Sequence, residues 1–179
     1  VSTGKSQFSR IVRVAKKLNK GLTISISPQS MNAPTVKAIQ RKNLGGDQMT
    51  KVYSELKKHG INTYADLILP LPLETKESFV ESIKELCNSN LQRPIPFTTM
   101  MLKGTPMSSK ETRSRYGMVT KYRVLPRQFG AYNGVRCFEV EEVCIATNTM
   151  PFEDYLECRG FSFIFALFAH EQFDIFSRH

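Results

Sequence analysis

Three polar residues, Gln29, Arg41 and Asp66, have the types and the spacing to do chemistry together. The neutral amide of Gln29 both donates and accepts, and so suits ribose hydroxyls. The guanidinium of Arg41 can clamp a carboxylate through two parallel hydrogen bonds. The carboxylate of Asp66 can accept from a hydroxyl or an ammonium group. Together they could hold an amino-acid nucleoside. Each also has a plainer reading: Gln29 as a strand-end cap, Arg41 within Q-R-K-N as solvated helix surface, Asp66 as a buried polar group bonded to backbone. Asp66 is the least bland of the three, because a carboxylate in an apolar strand is costly without partners.

The elements that must position these residues can be read along the chain. Phe8, Ile11, Val12, Ala15 and Leu18 recur at helical spacing, with Gly21 as the stop. Leu22 to Ser27 is a β-branched run and predicts a buried strand that delivers Gln29 at its end. Asn32 followed by Pro34 starts a helix that carries Arg41, with Val36, Ala38 and Ile39 facing inward. Gly45-Gly46 breaks the chain. Met49, Val52, Tyr53 and Leu56 mark another helix, closed by Gly60 after His59, whose place on the helix dipole suits a C-terminal cap. Ile61 to Leu69 is a second strand, with Asp66 late in it. Thr75 caps a helix bearing Phe79, Ile83 and Leu86, and Phe97 to Leu102 is a third strand before a Gly104-Thr105-Pro106 turn. Strands alternating with helices in this rhythm predict parallel pairing with right-handed crossovers. In such folds functional groups gather at the C-terminal strand ends.

Beyond Met107 the grammar changes. Ser108 with Glu111 reads as a capping box for a short helix up to Tyr116. Thr120 to Gly134 reads as a basic loop, in which Tyr122, Arg123 and Arg127 could serve a substrate or simply be solvated. Val135 to Thr147 is a strand, in which Glu139, Glu141 and Glu142 read as one inward and two outward positions. Pro151 opens a helix with Glu153 and Asp154 in its first turn, and the apolar run from Phe161 to Phe168 reads as its continuation.

Composition narrows the function classes. The 179 residues are 41% hydrophobic and 23% charged, which suits one globular domain with a core. The net charge of +9 is spread over Lys16, Lys17, Lys20, Lys57, Lys58, Arg123 and Arg127, without an interleaved aromatic stripe. Nucleic-acid binding is therefore not favoured. Cys87, Cys137, Cys144 and Cys158 form no C-x-x-C or C-x-x-x-C-x-x-C unit, so no metal or cluster site is readable from them. No metal is assigned to His59, His170 or His179. The run Phe161 to Ala169 is too short to span a bilayer, no signal peptide is visible, and a cytoplasmic location is the default expectation.

The motifs in order are S-x-Q-S, V-K-A-I-Q-R-K-N, Y-A-D-L-I-L-P-L-P-L-E-T-K-E-S-F and M-L-K-G-T-P-M. They are followed by Y-R-V-L-P, E-V-E-E-V and T-N-T-M-P-F-E-D-Y. From about Gly4 to Phe168 this series resembles the radical S-adenosylmethionine (SAM) superfamily. It looks closest to the large bacterial enzymes that carry a cobalamin-binding domain ahead of the barrel. The resemblance implies an α/β fold: the C-terminal half of a TIM-like radical SAM barrel over residues 1–107, then a mixed extension over 108–179. It implies SAM and a [4Fe–4S] cluster as cofactors, with cobalamin a further candidate. In this superfamily the cluster cleaves SAM reductively to methionine and a 5′-deoxyadenosyl radical. By motif, Gln29 matches the position that meets the SAM ribose or methionyl part, Arg41 the helix arginine near the SAM carboxylate, and Asp66 a strand aspartate lining the pocket. Met100, Met101 and Leu102 match the strand that meets the adenine, and at least one of them reads as plain core.

Two departures stand out. The family turn reads D-L-I-x-G-L-P-G-E-T, and here Pro70 and Leu73 replace both glycines, one removing a donor and the other disfavouring a positive φ. The cluster loop and the glycine-rich SAM motif, which the family places earlier, do not occur, and the expectation is that they belong upstream of Val1. On that reading the chain alone is inactive and prone to self-association through open strand edges. The expected partners are a small-molecule or lipid- or sugar-like substrate and a flavodoxin or ferredoxin reductant. The competing expectations are a self-contained α/β nucleotide-binding module without redox chemistry and, less favoured, a basic adaptor for RNA.

Overall fold

The computed structural model describes residues 8–18, 23–43, 46–89 and 94–168. Gly21, Leu22, Gly45, His170 and His179, for which the sequence suggested roles or weighed them, lie outside these residues. The chain is an α/β protein whose element order is α1 (Phe8–Lys17), β1 (Ile24–Ser25), α2 (Ala33–Ala38), α3 (Gly46–Lys58), β2 (Thr63–Leu69), α4 (Lys76–Asn88) and β3 (Pro94–Thr98). Then come a 3-10 turn, α5 (Lys110–Arg115), β4 (Val119–Tyr132), β5 (Val135–Ala146) and α6 (Phe152–Phe168).

β1, β2 and β3 form a parallel sheet in that order, with Ile24 opposite Thr63 and Asp66 opposite Ile95. Side chains alternate across β2, because successive residues point to opposite faces. Thr63, Ala65, Leu67 and Leu69 face the helices and are 0–4% exposed. Tyr64, Asp66 and Ile68 face the other way and are only half-buried. The core is formed where the first face meets Met49, Tyr53 and Leu56 of α3, Phe79, Ile83 and Leu86 of α4, and Tyr155 and Cys158 of α6. α1 adds Ala15, whereas Leu18, which shares its helical spacing, is half exposed. β3 starts earlier than the sequence suggested, because Pro94 and Pro96 looked like breakers. β3 is an edge strand of this sheet, where a missing donor is tolerated.

The helix ends explain two further differences. α2 stops at Ala38, not beyond Arg41. Gln40 adopts φ 53°, its N–H donates to the Lys37 carbonyl at 3.0 Å, and the Arg41 N–H donates to the Val36 carbonyl at 2.9 Å. This is a Schellman closure built without glycine, and it puts Arg41 on the turn after the helix. The fully buried residue of α2 is Thr35, not Val36, Ala38 or Ile39, which are half-buried. α3 closes in the same way on Gly60 (φ 64°), with the Ile61 N–H on the Leu56 carbonyl at 3.1 Å. His59 sits at that end and its Nε2 lies 3.3 Å from Glu55. The N-cap of α5 is Ser109, one residue past the expected Ser108, and its hydroxyl accepts from the Thr112 N–H at 3.1 Å.

Thr120 to Gly134 is no loop. β4 and β5 form a long antiparallel hairpin, with Val124 opposite Val140, Phe129 opposite Phe138, and an irregularity between Val124 and Phe129. Near its base β5 also pairs antiparallel with the continuation of β3, where the Cys144 N–H donates to the Thr99 carbonyl at 2.9 Å and the Met101 N–H to the Glu142 carbonyl at 2.8 Å. Among the described residues no helix is long and apolar enough to cross a membrane.

Candidate functional site

The polar residues singled out in the sequence meet around Ser27, at the start of the loop between β1 and α2. The hydroxyls of Ser25, at 3.1 Å, and of Ser27 both donate to Asp66 Oδ2. Arg41 Nη2 donates to the Ser27 carbonyl, and Arg41 Nε to Asn43 Oδ1 at 3.3 Å. The Gln29 N–H donates to the Asp66 carbonyl at 3.0 Å, and the Gln29 carbonyl accepts from the Ile68 N–H at 2.8 Å. Gln29 therefore prolongs the parallel ladder as a single bridge to Leu67, at φ 67°. A non-glycine residue holds that left-handed conformation only where its surroundings over-determine it.

The electrostatics tie these groups together. Burial lowers the pKa of the Arg41 guanidinium, and the charge of Asp66 acts against that shift. Burial first, and then Asp66, raise the Tyr53 phenol well above its ordinary value. The Tyr53 hydroxyl donates to the Ile26 carbonyl at 3.4 Å. Asp66 Oδ1 is buried and has no hydrogen-bond partner among the described residues. An orphaned acceptor of this kind carries a cost of about 1–3 kcal/mol, unless something donates to it.

Gln29, Arg41 and Asp66 are thus neighbours, while Met100, Met101 and Leu102 follow β3, with β2 between them and β1. Met101 is 3% exposed and packs in a second small core with Met118 and Cys144, whereas Met100 and Leu102 are about half exposed. At least one of the three was expected in the core, and Met101 is buried there. Glu142, read as one member of an inward and outward set, accepts from Arg113 Nη1 at 2.5 Å, Arg113 Nη2 at 2.8 Å and the Thr120 hydroxyl at 2.6 Å. These donors hold its carboxyl down at about 2. Glu141 pairs with Arg123.

Several residues at the site were not singled out in the sequence. Ser25 and Ser27 carried a signal, since T-I-S-I-S alternates polar and apolar side chains with the period of a strand. Asn43, whose Nδ2 donates to the Ser30 carbonyl at 2.7 Å, sits inside a motif quoted above. Glu74 gave none beyond its place in the turn. It is 1% exposed, and burial raises its pKa, with the Ser30 and Ser78 hydroxyls opposing. Leu73 adopts φ 62°, so a leucine takes the left-handed backbone that the family's glycine would adopt freely.

No family model matches the chain. Among curated proteins it is 31% identical over 175 residues to the cobalamin-dependent radical SAM methyltransferase TokK of Streptomyces tokunonensis, covering 93% of this chain and 25% of that protein. It is 30% identical over 169 residues to the 2-(S-pantetheinyl)-carbapenam-3-carboxylate methyltransferase of Streptantibioticus cattleyicolor, covering 90% of this chain and 24% of that protein. The chain spans about a quarter of the length of the curated relatives it matches.

Proposed function

Because the chain is a relative of the cobalamin-dependent radical SAM methyltransferases, we propose that it forms the SAM-holding side of an enzyme of that kind. On this reading residues 1–107 are part of a barrel of parallel strands and residues 108–179 an extension of it. The half-buried face of β2, which carries Asp66, is then the barrel interior. The reaction is methyl transfer to a carbon of an unidentified small molecule.

The observation that carries the reading is the orphaned Asp66 Oδ1, buried beside Arg41 and Gln29. A ligand with an ammonium or hydroxyl donor would satisfy it. Arg41 Nη1 would meet a carboxylate, and the Gln29 amide would meet ribose hydroxyls. Backbone at Met100 to Leu102 would read the adenine edge against an apolar wall. These groups fit SAM, which supplies an activated methyl group when bound. A [4Fe–4S] cluster does not fit: no group of three His, Cys, Asp or Glu that could hold a metal occurs among the described residues. Of the four cysteines, two are buried, one half-buried and one exposed. The part assigned to this chain is binding and orientation of SAM; cobalamin and cluster are assigned to no residue of it.

Binding calorimetry with SAM tests this. Weak binding is expected for the chain, falling tenfold or more, about 1.4 kcal/mol, in Asp66→Ala and in Arg41→Ala. Unchanged affinity in both variants would remove the assignment. SAM cleavage by the chain with a chemical reductant alone would overturn the restriction to binding.

A further inference from the structure

We infer that Asn43 is a positioning residue: its amide anchors the guanidinium of Arg41 to the strand end Gln29–Ser30, so that Arg41 meets a ligand carboxylate in one fixed orientation. The inference rests on the proposed function only in that Arg41 is assigned there to the carboxylate of SAM.

Asn43 follows Arg41 by two residues on the turn after α2. Arg41 and Asn43 are half-buried and Lys42 between them is exposed, so the two side chains share one side of the segment. Arg41 Nε donates to Asn43 Oδ1 at 3.3 Å, and Asn43 Nδ2 donates to the Ser30 carbonyl at 2.7 Å. These partners admit only one orientation of the amide. An arginine nitrogen only donates and a backbone carbonyl only accepts, so the amide oxygen must face Arg41 and its nitrogen Ser30. Aspartate, of the same length, could accept but not donate.

Arg41 Nε carries a single hydrogen, and Asn43 takes it. Arg41 Nη2 donates to the Ser27 carbonyl. With two of its three nitrogens held, the planar guanidinium is fixed against rotation about its last bond. Nη1, assigned above to the ligand, is aimed by that constraint. Both acceptors are neutral, so the bonds orient the guanidinium without pairing its charge.

Support runs from the strand end to Arg41, not the reverse. Gln29 is bonded to β2 through both its N–H, at 3.0 Å, and its carbonyl, at 2.8 Å. The Met31 N–H donates to the Ser82 hydroxyl at 3.2 Å, and the Asn32 N–H to the Ser30 hydroxyl at 3.0 Å. The Ser30 carbonyl is thus a fixed point that does not depend on Asn43. Arg41 lies just past a helix end closed by a left-handed glutamine, Gln40 at φ 53°. Its long side chain has rotamer freedom to lose. Ordering it before a ligand arrives removes part of the cost of binding.

Binding calorimetry of the chain with two probes tests the inference. SAM carries a carboxylate; 5′-methylthioadenosine keeps the nucleoside and lacks the carboxylate. Asn43→Ala is expected to weaken SAM binding about fivefold, the effect of one lost hydrogen bond, and to leave 5′-methylthioadenosine unchanged. Asn43→Asp should show the same selectivity, because its carboxylate pairs with Arg41 and competes with that of the ligand. It carries the test if Asn43→Ala does not fold. Equal weakening of both probes would make Asn43 a residue of the fold alone and overturn the inference. Unchanged SAM affinity in Asn43→Ala beside a loss in Arg41→Ala would also overturn it, and would leave the SAM reading standing. A second readout needs no ligand. In NMR the Arg41 Nε–H of the wild type should exchange with water at least about tenfold more slowly than in Asn43→Ala. Equal exchange rates overturn the inference whether or not SAM binds.

Discussion

The parallel sheet, with strands of two to seven residues, and the β4–β5 hairpin, with strands of 14 and 12, treat their side chains in opposite ways. In β2 every second residue is sealed under α3, α4 and α6, with Ala65, Leu67 and Leu69 at 0% exposure. In the hairpin Tyr122, Phe129 and Phe138 are 65–79% exposed. The sheet takes its register from burial, because a slip by one residue would turn its apolar set away from the helices. The hairpin takes its register from cross-strand pairs and from the clamp of Arg113 on Glu142 at its base. Chemistry follows burial. Asp66 and its serine donors lie on the half-buried face of the sheet whose other face is locked, so their geometry is held from behind.

Paired substitutions test this contrast most sharply. Leu67→Ala in β2 is expected to cost about 2–5 kcal/mol in denaturant unfolding, while Phe138→Ala should stay within about 0.5 kcal/mol. A large cost at Phe138 would mean that the hairpin face is covered in solution. Next in size is the hairpin base. Arg113→Ala should cost about 2 kcal/mol, since it removes two charge-assisted hydrogen bonds from a largely buried carboxylate. The Glu142 carboxyl is held near 2 against an ordinary 4.5. The stability it contributes is complete above the ordinary value and is lost as pH falls toward 2. Glu142→Gln should flatten that limb of the pH–stability curve; an unaltered limb would assign the acid sensitivity elsewhere. Thr75→Ala, which breaks the capping box with Ser78 at the start of α4, should cost about 1 kcal/mol. Smallest is Leu73→Gly. Relief of a left-handed leucine is offset by the extra freedom of glycine in the unfolded chain, for a net change under about 1 kcal/mol. A loss much beyond that would make the Leu73 side chain a packing residue.

The sheet and its helices were legible because burial leaves a period in the sequence. Val-, Ile- and Leu-rich runs of strand length alternate with helices bounded by Thr75, Asn32 and Gly60, and α6 continues through Phe161 to Phe168 as expected. β4 was not legible. Nearly all of its residues are exposed, so neither face imposes an alternation, and Pro126, Gly130 and its charges read as loop. Gln29, Arg41 and Asp66 were singled out by type and lie close together, but the reason for that proximity lay beyond local pattern. Arg41 reaches Ser27 because Gln40 closes α2 early, a left-handed turn that no glycine announces. Glu74 was invisible for a related reason. A carboxylate in a turn reads as solvated until three segments are seen to bury it.

The continuation of β3 pairs with β2 through Thr99 and with β5 through Thr99 and Met101. That makes the hairpin a lever arm. Its 14-residue β4 reaches about 45 Å at the rise of an extended strand, with the fulcrum beside Met100 to Leu102. The exposed aromatic end of the hairpin and the strand end proposed to read adenine thus belong to one continuous run of paired backbone.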